Sequence, residues 1–183
     1  MSDLNGKTVA IIATDFFEEA ELVSPRDALR EAGAQVRIYS TKNEPIQAVE
    51  GDTQPTQKVE VDGTLDQLDV DTVDAVVVPG GTVNADRMRV EEDARAIVRA
   101  VDAAGKPLAV ICHGPWLLVS AGLAQGRRLT SYASLADDLR NAGAEWVDEE
   151  VVVDENLITS RDPDDLPAFI EAIEKALTER VSA

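Results

Sequence analysis

Four short runs rich in β-branched residues, "KTVAIIA", "AQVRIYS", "VDAVVVPGG" and "KPLAVI", are separated by stretches of helical or polar character. Runs this short and this apolar suit strands buried on both faces. The helical stretches include "SPRDALREAG", with Ser24 as N-cap, Pro25 at the first helical position and Gly33 as the stop, and "VEEDARAIVRAVDAAG". Parallel strands need crossovers of one hand, and the crossing helices must cover both sheet faces. The alternation therefore predicts a single α/β layered sandwich with a mostly parallel central sheet, and 183 residues suffice for its core.

The remaining segments fit around that sheet. Residues 41–66 are polar and punctuated by Pro and Gly, and "KVEV" alternates at period two, which predicts a hairpin or β-excursion. Further on, "GPWLLVSAGL" and "SLADDLRNAG" read as helices. "EEVVVDENLITS" reads as a hairpin turning on Asp154-Glu155-Asn156. "DPDDLPAFIEAIEKALTER" reads as a closing helix, with Asp162 or Asp164 near its start.

Composition narrows the partners. Acids outnumber bases 35 to 17, a formal net charge of −18, and Arg127-Arg128 is the one adjacent basic pair. Nucleic-acid affinity rests on cations that neutralise phosphates, so stable binding to nucleic acid or to an anionic membrane is not expected. The early apolar run "TVAIIA" is too short for a signal-peptide core or a membrane span. Together with a single unpaired cysteine, this points to a cytoplasmic protein. One cysteine and one histidine cannot make a Cys/His zinc cluster within the chain, and no metal or other cofactor is expected.

Chemistry belongs beyond the carboxyl ends of parallel strands. Three such exits carry complementary groups: "TDFFEEAEL" supplies acids, "PGGTVNADR" backbone amides, and "CHGPW" a thiol. Cys112 and His113, the only residues of their kinds, sit side by side at a strand-to-helix break. That break resembles a nucleophile elbow, and a helix start predicts a thiol titrating below its usual ~8.5. His113 has two open readings, a ring acting as base or a backbone N–H acting as oxyanion donor. Gly80-Gly81 lets the backbone approach a substrate, and the Gly81 N–H could complete that hole. Of Glu18, Glu19 and Glu21, one or two can point inward. A carboxyl beside a thiolate must be protonated to donate to it, so the two titrate as a pair.

Together "AVICHGP", "VVVPGG", "DFFEEAELVSP" and "TSYASLADDLRNAGAEWVDEEVVVDENLITSRDPDDL" resemble the PfpI branch of the DJ/ThiJ/PfpI superfamily, over nearly the whole chain. The resemblance implies a flavodoxin-like three-layer sandwich related to class I glutamine amidotransferase domains. The amidotransferase triad needs a further histidine downstream, and none follows His113. It implies Cys112 as nucleophile, Glu21 as the acid on its sulfur, Glu18 as a second acid of that loop, and Tyr132 and Arg161 as pocket-lining residues. It implies that His113 pairs with an acid of a neighbouring subunit in a homodimer or larger homo-oligomer, with Asp86 as the match. The family usually carries Glu there, in a loop one residue shorter. The activity implied is stress-linked deglycase or glyoxalase chemistry on glyoxal or methylglyoxal, free or as early adducts on protein side chains, without a cofactor. A cysteine peptidase or amidase is the alternative enzyme, and a redox sensor or holdase chaperone the alternative of another class.

Overall fold

The computed structural model describes residues 2–179. In chain order, β1 (Thr8–Ile12) and β2 (Phe17–Glu18) precede α1 (Glu19–Glu31). Four strands follow: β3 (Gln35–Ser40), β4 (Ile46–Glu50), β5 (Gln54–Val59) and β6 (Gly63–Thr64). Next come β7 (Ala75–Val78), α2 (Thr82–Met88), α3 (Glu92–Ala103), β8 (Leu108–Ile111) and α4 (Pro115–Ala121). The last third holds β9 (Arg128–Leu129), α5 (Ala136–Asn141), β10 (Glu145–Trp146), β11 (Val151–Asp154), β12 (Leu157–Ser160) and α6 (Leu166–Glu179).

Seven strands form the central sheet in the order β11-β12-β8-β7-β1-β3-β6. Its neighbours are parallel except the edge hairpin β11–β12. The period-two geometry of the strands divides their side chains between two cores. Val9, Ile11, Val77 and Ile111 pack with Leu22 and Leu29 of α1 and with Phe169 and Ile173 of α6. Ala10, Ile12, Val76 and Val110 pack with Ile97 and Val101 of α3 and with Leu117 of α4. All four strand runs read from the sequence are present, in the expected three-layer sandwich.

Three details differ from the sequence reading. First, α1 begins at Glu19, five residues before Ser24, and Pro25 lies inside it. Proline at that point lacks the N–H that would bond the Glu21 carbonyl. Burial of Leu22 and Pro25, with acids in the first turn, favours the longer helix nonetheless. Second, "TVNADRM" is helix α2 rather than an exit loop, started by Gly81 at φ 88°. Third, the excursion does contain the expected hairpin, β4–β5, but β2 pairs alongside it and β6 returns to the edge of the main sheet. The closing helix is read through Glu179, and Arg180 of the expected helix lies outside the described residues. Among the described residues no helix is long and apolar enough to cross a membrane.

Strand order reverses between β1 and β7, since the chain leaves β1 toward β3 and returns on the other side at β7. The exits of β1, β7 and β8 thus meet at one end of the sheet, as the switch-point rule requires.

Candidate active site

Ile111 ends β8 and the next residue, Cys112, adopts a left-handed backbone with φ 63°. Few non-glycine residues do so without surrounding restraint, and here the restraint is visible. The Cys112 N–H bonds the Ser160 carbonyl at 3.0 Å, its own carbonyl accepts the Tyr132 N–H at 2.8 Å, and Gly114 N–H closes back on Ile111 at 2.9 Å. The result is an elbow that lifts the thiol toward the exits of β7 and β1. The backbone N–H groups of Gly81 and His113 lie near enough to the Cys112 sulfur to favour its thiolate.

Glu21 approaches from the first turn of α1 and is fully buried. Its Oε2 accepts the Gly80 N–H at 2.7 Å. Oε1 has no hydrogen-bond partner among the described residues, and the carboxyl lies beside the Cys112 thiol, both bordering the space that a Gly80 side chain would fill. Burial pushes the carboxyl from its ordinary 4.5 to about 8, against the pull of the Gly80 N–H and the thiol; the charges of Glu18 and Asp52 add to the rise. Burial and the neighbouring Glu21 carboxyl push the Cys112 thiol up as well, and the Gly81 and His113 amides only partly offset this. The expectation of an intrinsically depressed thiol is therefore corrected. Cys112 is 5 % exposed and shares its environment with an acid, and α4 begins only at Pro115. Cys112 and Glu21 act as one coupled pair.

This packing explains the glycine pair. A Cβ on Gly80 would lie 2.6 Å from Glu21 Oε2 and 2.7 Å from Cys112 Cβ, and one on Gly81 would lie 2.6 Å from the Phe16 carbonyl oxygen. Gly80→Ala is expected to destabilise the fold by about 1–3 kcal/mol, the usual cost of overpacking. It should also separate Glu21 from the sulfur. Urea unfolding and thiol alkylation at pH 7 together check this, and a variant matching the parent protein in both would show that the three exits are looser than described.

The sequence profile of the DJ-1/PfpI family matches residues 7–176. The chain belongs to the DJ-1/PfpI family. It is 42 % identical over 169 residues to "Deglycase PfpI" of Pyrococcus furiosus, covering 92 % of this chain and 98 % of that one. It is 40 % identical over 165 residues to "Protein/nucleic acid deglycase 2" of Escherichia coli, covering 89 % and 93 %. Among solved structures, a two-domain Anabaena variabilis protein containing DJ-1/ThiJ/PfpI-like and ferritin-like domains superposes with a TM-score of 0.89 at 35 % identity. That match covers 94 % of this chain and 48 % of the two-domain protein, so the chain spans about half its length.

The other residues expected from this family resemblance separate into two groups. His113 sits at the site: Nδ1 lies 3.2 Å from the Cys112 sulfur and Nε2 lies 3.2 Å from Thr82 Oγ1. Its ring is stacked on Tyr132 at 4.6 Å and meets the edge of Trp116 at 5.4 Å. Burial holds its pKa below the usual value. Tyr132 thus belongs to the site as a wall of the histidine slot.

Glu18, Arg161 and Asp86 are placed elsewhere. The Glu18 carboxylate accepts the N–H groups of Gly51 and Asp52, so it holds the β4–β5 turn rather than the sulfur. Arg161 is engaged by Asp165 through two nitrogens and by Asp148 at 2.9 Å. With Tyr132 and Asp164 it lines a neighbouring cavity of about 360 Å³. Asp86 is exposed on α2, and within its own chain the place beside His113 Nε2 is taken by Thr82. Two participants escaped the sequence reading. Asn84 is buried and ties the exits together, accepting the Thr14 N–H at 2.7 Å and donating to the Gly80 carbonyl at 2.9 Å. Asp52 binds Thr82 through both carboxylate oxygens.

Proposed function

We propose that this chain is a cysteine-dependent hydrolase of the deglycase or glyoxalase type, acting on glyoxal or methylglyoxal, free or as early adducts on protein side chains. One observation carries the reading: a buried carboxyl titrating near 8 lies against the only cysteine. Burial raises the thiol as well as the carboxyl, so forming the thiolate needs a proton acceptor held beside the sulfur, and a carboxyl raised to about 8 accepts that proton better than an ordinary carboxylate would. The deglycase names of two relatives point the same way.

The chemistry needs one proton on the pair. With that proton on Glu21, the Cys112 thiolate adds to the aldehyde carbon of methylglyoxal, and Glu21 protonates the new alkoxide to give a hemithioacetal. The Gly81 and His113 N–H groups, near the sulfur, are available to the oxygen on the attacked carbon. Glu21, now a carboxylate, removes the proton from that carbon, and the proton returns at the adjacent carbon through an enediol. The first carbon thereby rises to the thioester level as the second is reduced to an alcohol. Water cleaves the thioester, releasing lactate and the thiol. For an adduct on an amine, the carbon–nitrogen bond breaks as the sulfur bond forms, and the amine leaves before the same steps. The sum is substrate plus water, with no external oxidant.

The test is lactate formation from methylglyoxal, with release of free amine from a methylglyoxal-treated lysine derivative. Saturable turnover by the parent protein, lost in Cys112→Ala, is the expected result. Absence of lactate combined with cleavage of a fluorogenic peptide would replace this reading with a peptidase.

A further inference from the structure

The β4–β5 turn places Gly51 and Asp52 at consecutive positive φ angles of 58° and 64°. Aspartate tolerates that region better than most residues, and the Glu18 carboxylate binds both N–H groups of the turn. So held, Asp52 reaches the first residue of α2. Its Oδ1 takes the Thr82 N–H at 2.7 Å, and its Oδ2 lies 3.0 Å from Thr82 Oγ1. Oγ1 in turn lies 3.2 Å from His113 Nε2, and His113 Nδ1 lies 3.2 Å from the Cys112 sulfur.

This chain of contacts has a direction. An ionised carboxylate can only accept hydrogen bonds, and a hydroxyl has one proton to give. If Thr82 gave that proton to His113, Oγ1 and Oδ2 would face each other lone pair to lone pair at 3.0 Å. The hydroxyl proton therefore goes to Asp52, and Oγ1 offers its lone pair to the ring. Nε2 must then be the protonated nitrogen, which leaves Nδ1 bare and aimed at the thiol.

We infer that Asp52, acting through Thr82, is the positioning residue that fixes His113 as its Nε2–H tautomer, so that a base for Cys112 is assembled within one chain. The inference rests on the reading of Cys112 as the nucleophile and extends it, since it gives the thiol a second proton acceptor besides Glu21. It also gives Glu18 a role at one remove, as the support of the Asp52 turn. The neutral ring that the tautomer argument needs agrees with the burial of His113.

The single histidine makes the test direct, because one imidazole gives one set of ring ¹⁵N signals. In the parent protein at pH 7, those signals should show Nε2 protonated and Nδ1 bare. Thr82→Val, which removes the hydroxyl at nearly constant shape, should lose this preference and slow iodoacetamide alkylation about tenfold or more. Asp52→Ala should do the same. Thr82→Ser restores the hydroxyl, and both readouts should return to within about threefold, separating a lost hydrogen bond from a misfolded site.

A parent protein with Nδ1 protonated would overturn the inference. So would Thr82→Val with tautomer and alkylation unchanged. A tautomer shift in Asp86→Asn, with none in Thr82→Val, would move the orienting role to α2 of a neighbouring subunit and overturn it equally. None of these readouts uses a substrate. The expected tautomer and alkylation pattern without lactate formation would support the relay and count against the deglycase reading alone.

Discussion

Cys112→Ser is expected to lower hydroxy-acid formation from methylglyoxal by at least about a thousandfold, with the fold intact. The elbow is set by backbone bonds from Cys112 to Ser160 and Tyr132, and serine can make both. What serine cannot match is proton affinity. Glu21 titrates near 8, close to an ordinary thiol but far below an aliphatic hydroxyl. Burial and Glu21 itself push the Cys112 thiol up, so moving its proton to the carboxyl is uphill, but moving one from a serine oxygen, which starts from a far higher proton affinity, is much steeper. The hydroxyl at position 112 should thus do no better than the methyl of Cys112→Ala. Lactate assays on both variants, with circular dichroism and thermal unfolding as controls, check this. A serine variant retaining more than about a tenth of parental turnover would mean that the thiolate is not the attacking group.

The parts legible in the sequence are those encoded locally. β1, β3, β7 and β8 announce themselves because a strand buried on both faces must be apolar throughout, and β-branched residues fill it. Cys112, Gly80-Gly81 and the acidic run that holds Glu21 could be placed together because each follows such a strand, and the parallel sheet delivers its exits to one edge; the choice of Glu21 within that run came from the family resemblance. The misreadings have equally physical causes. Pro25 looks like a helix start, since proline is tolerated best there. The burial that lets α1 run through it depends on strands distant in sequence. α2 carries glycine and asparagine signals that belong to its tight entry and to the Asn84 bridge, and they mask seven helical residues. β6 is two residues long, below what any periodicity can reveal.

The site's second layer was hidden for a different reason. Asp52 and Thr82 are 30 positions apart, and Thr82 and His113 are 31 apart. Nothing in a polar turn sequence marks one aspartate among many in a chain with 35 acids. Glu18, expected as a second acid of the same loop, spends its carboxylate on the β4–β5 turn, because β2 turns its side chain that way. Helix-start reasoning lowers the thiol because it treats the residue as exposed. Burial beside a carboxyl reverses the direction.

Glu21→Gln should separate stability from catalysis, with opposite signs. Turnover should fall by about 10²- to 10⁴-fold, since an amide cannot carry the proton between carbons. Alkylation should persist, because the amide oxygen can still accept the Gly80 N–H while its nitrogen donates to sulfur. Stability should move the other way with pH. In the unfolded chain Glu21 ionises near 4.5, but in the fold it keeps its proton to about 8. Between these values the folded state binds the extra proton, so stability falls as pH rises through the window, and little of this difference develops below 4.5 or above 8. Each unit of the gap corresponds to about 1.4 kcal/mol, which makes the loss a few kcal/mol across the window. The glutamine variant lacks this titration, while the contributions of His113 and the surface acids are common to both proteins. Urea unfolding at pH 5, 6.5 and 8 should therefore show parent stability declining relative to the variant. Parallel pH profiles would mean that Glu21 is already ionised in the folded protein, and the proton that the proposed chemistry moves would have to come from another group.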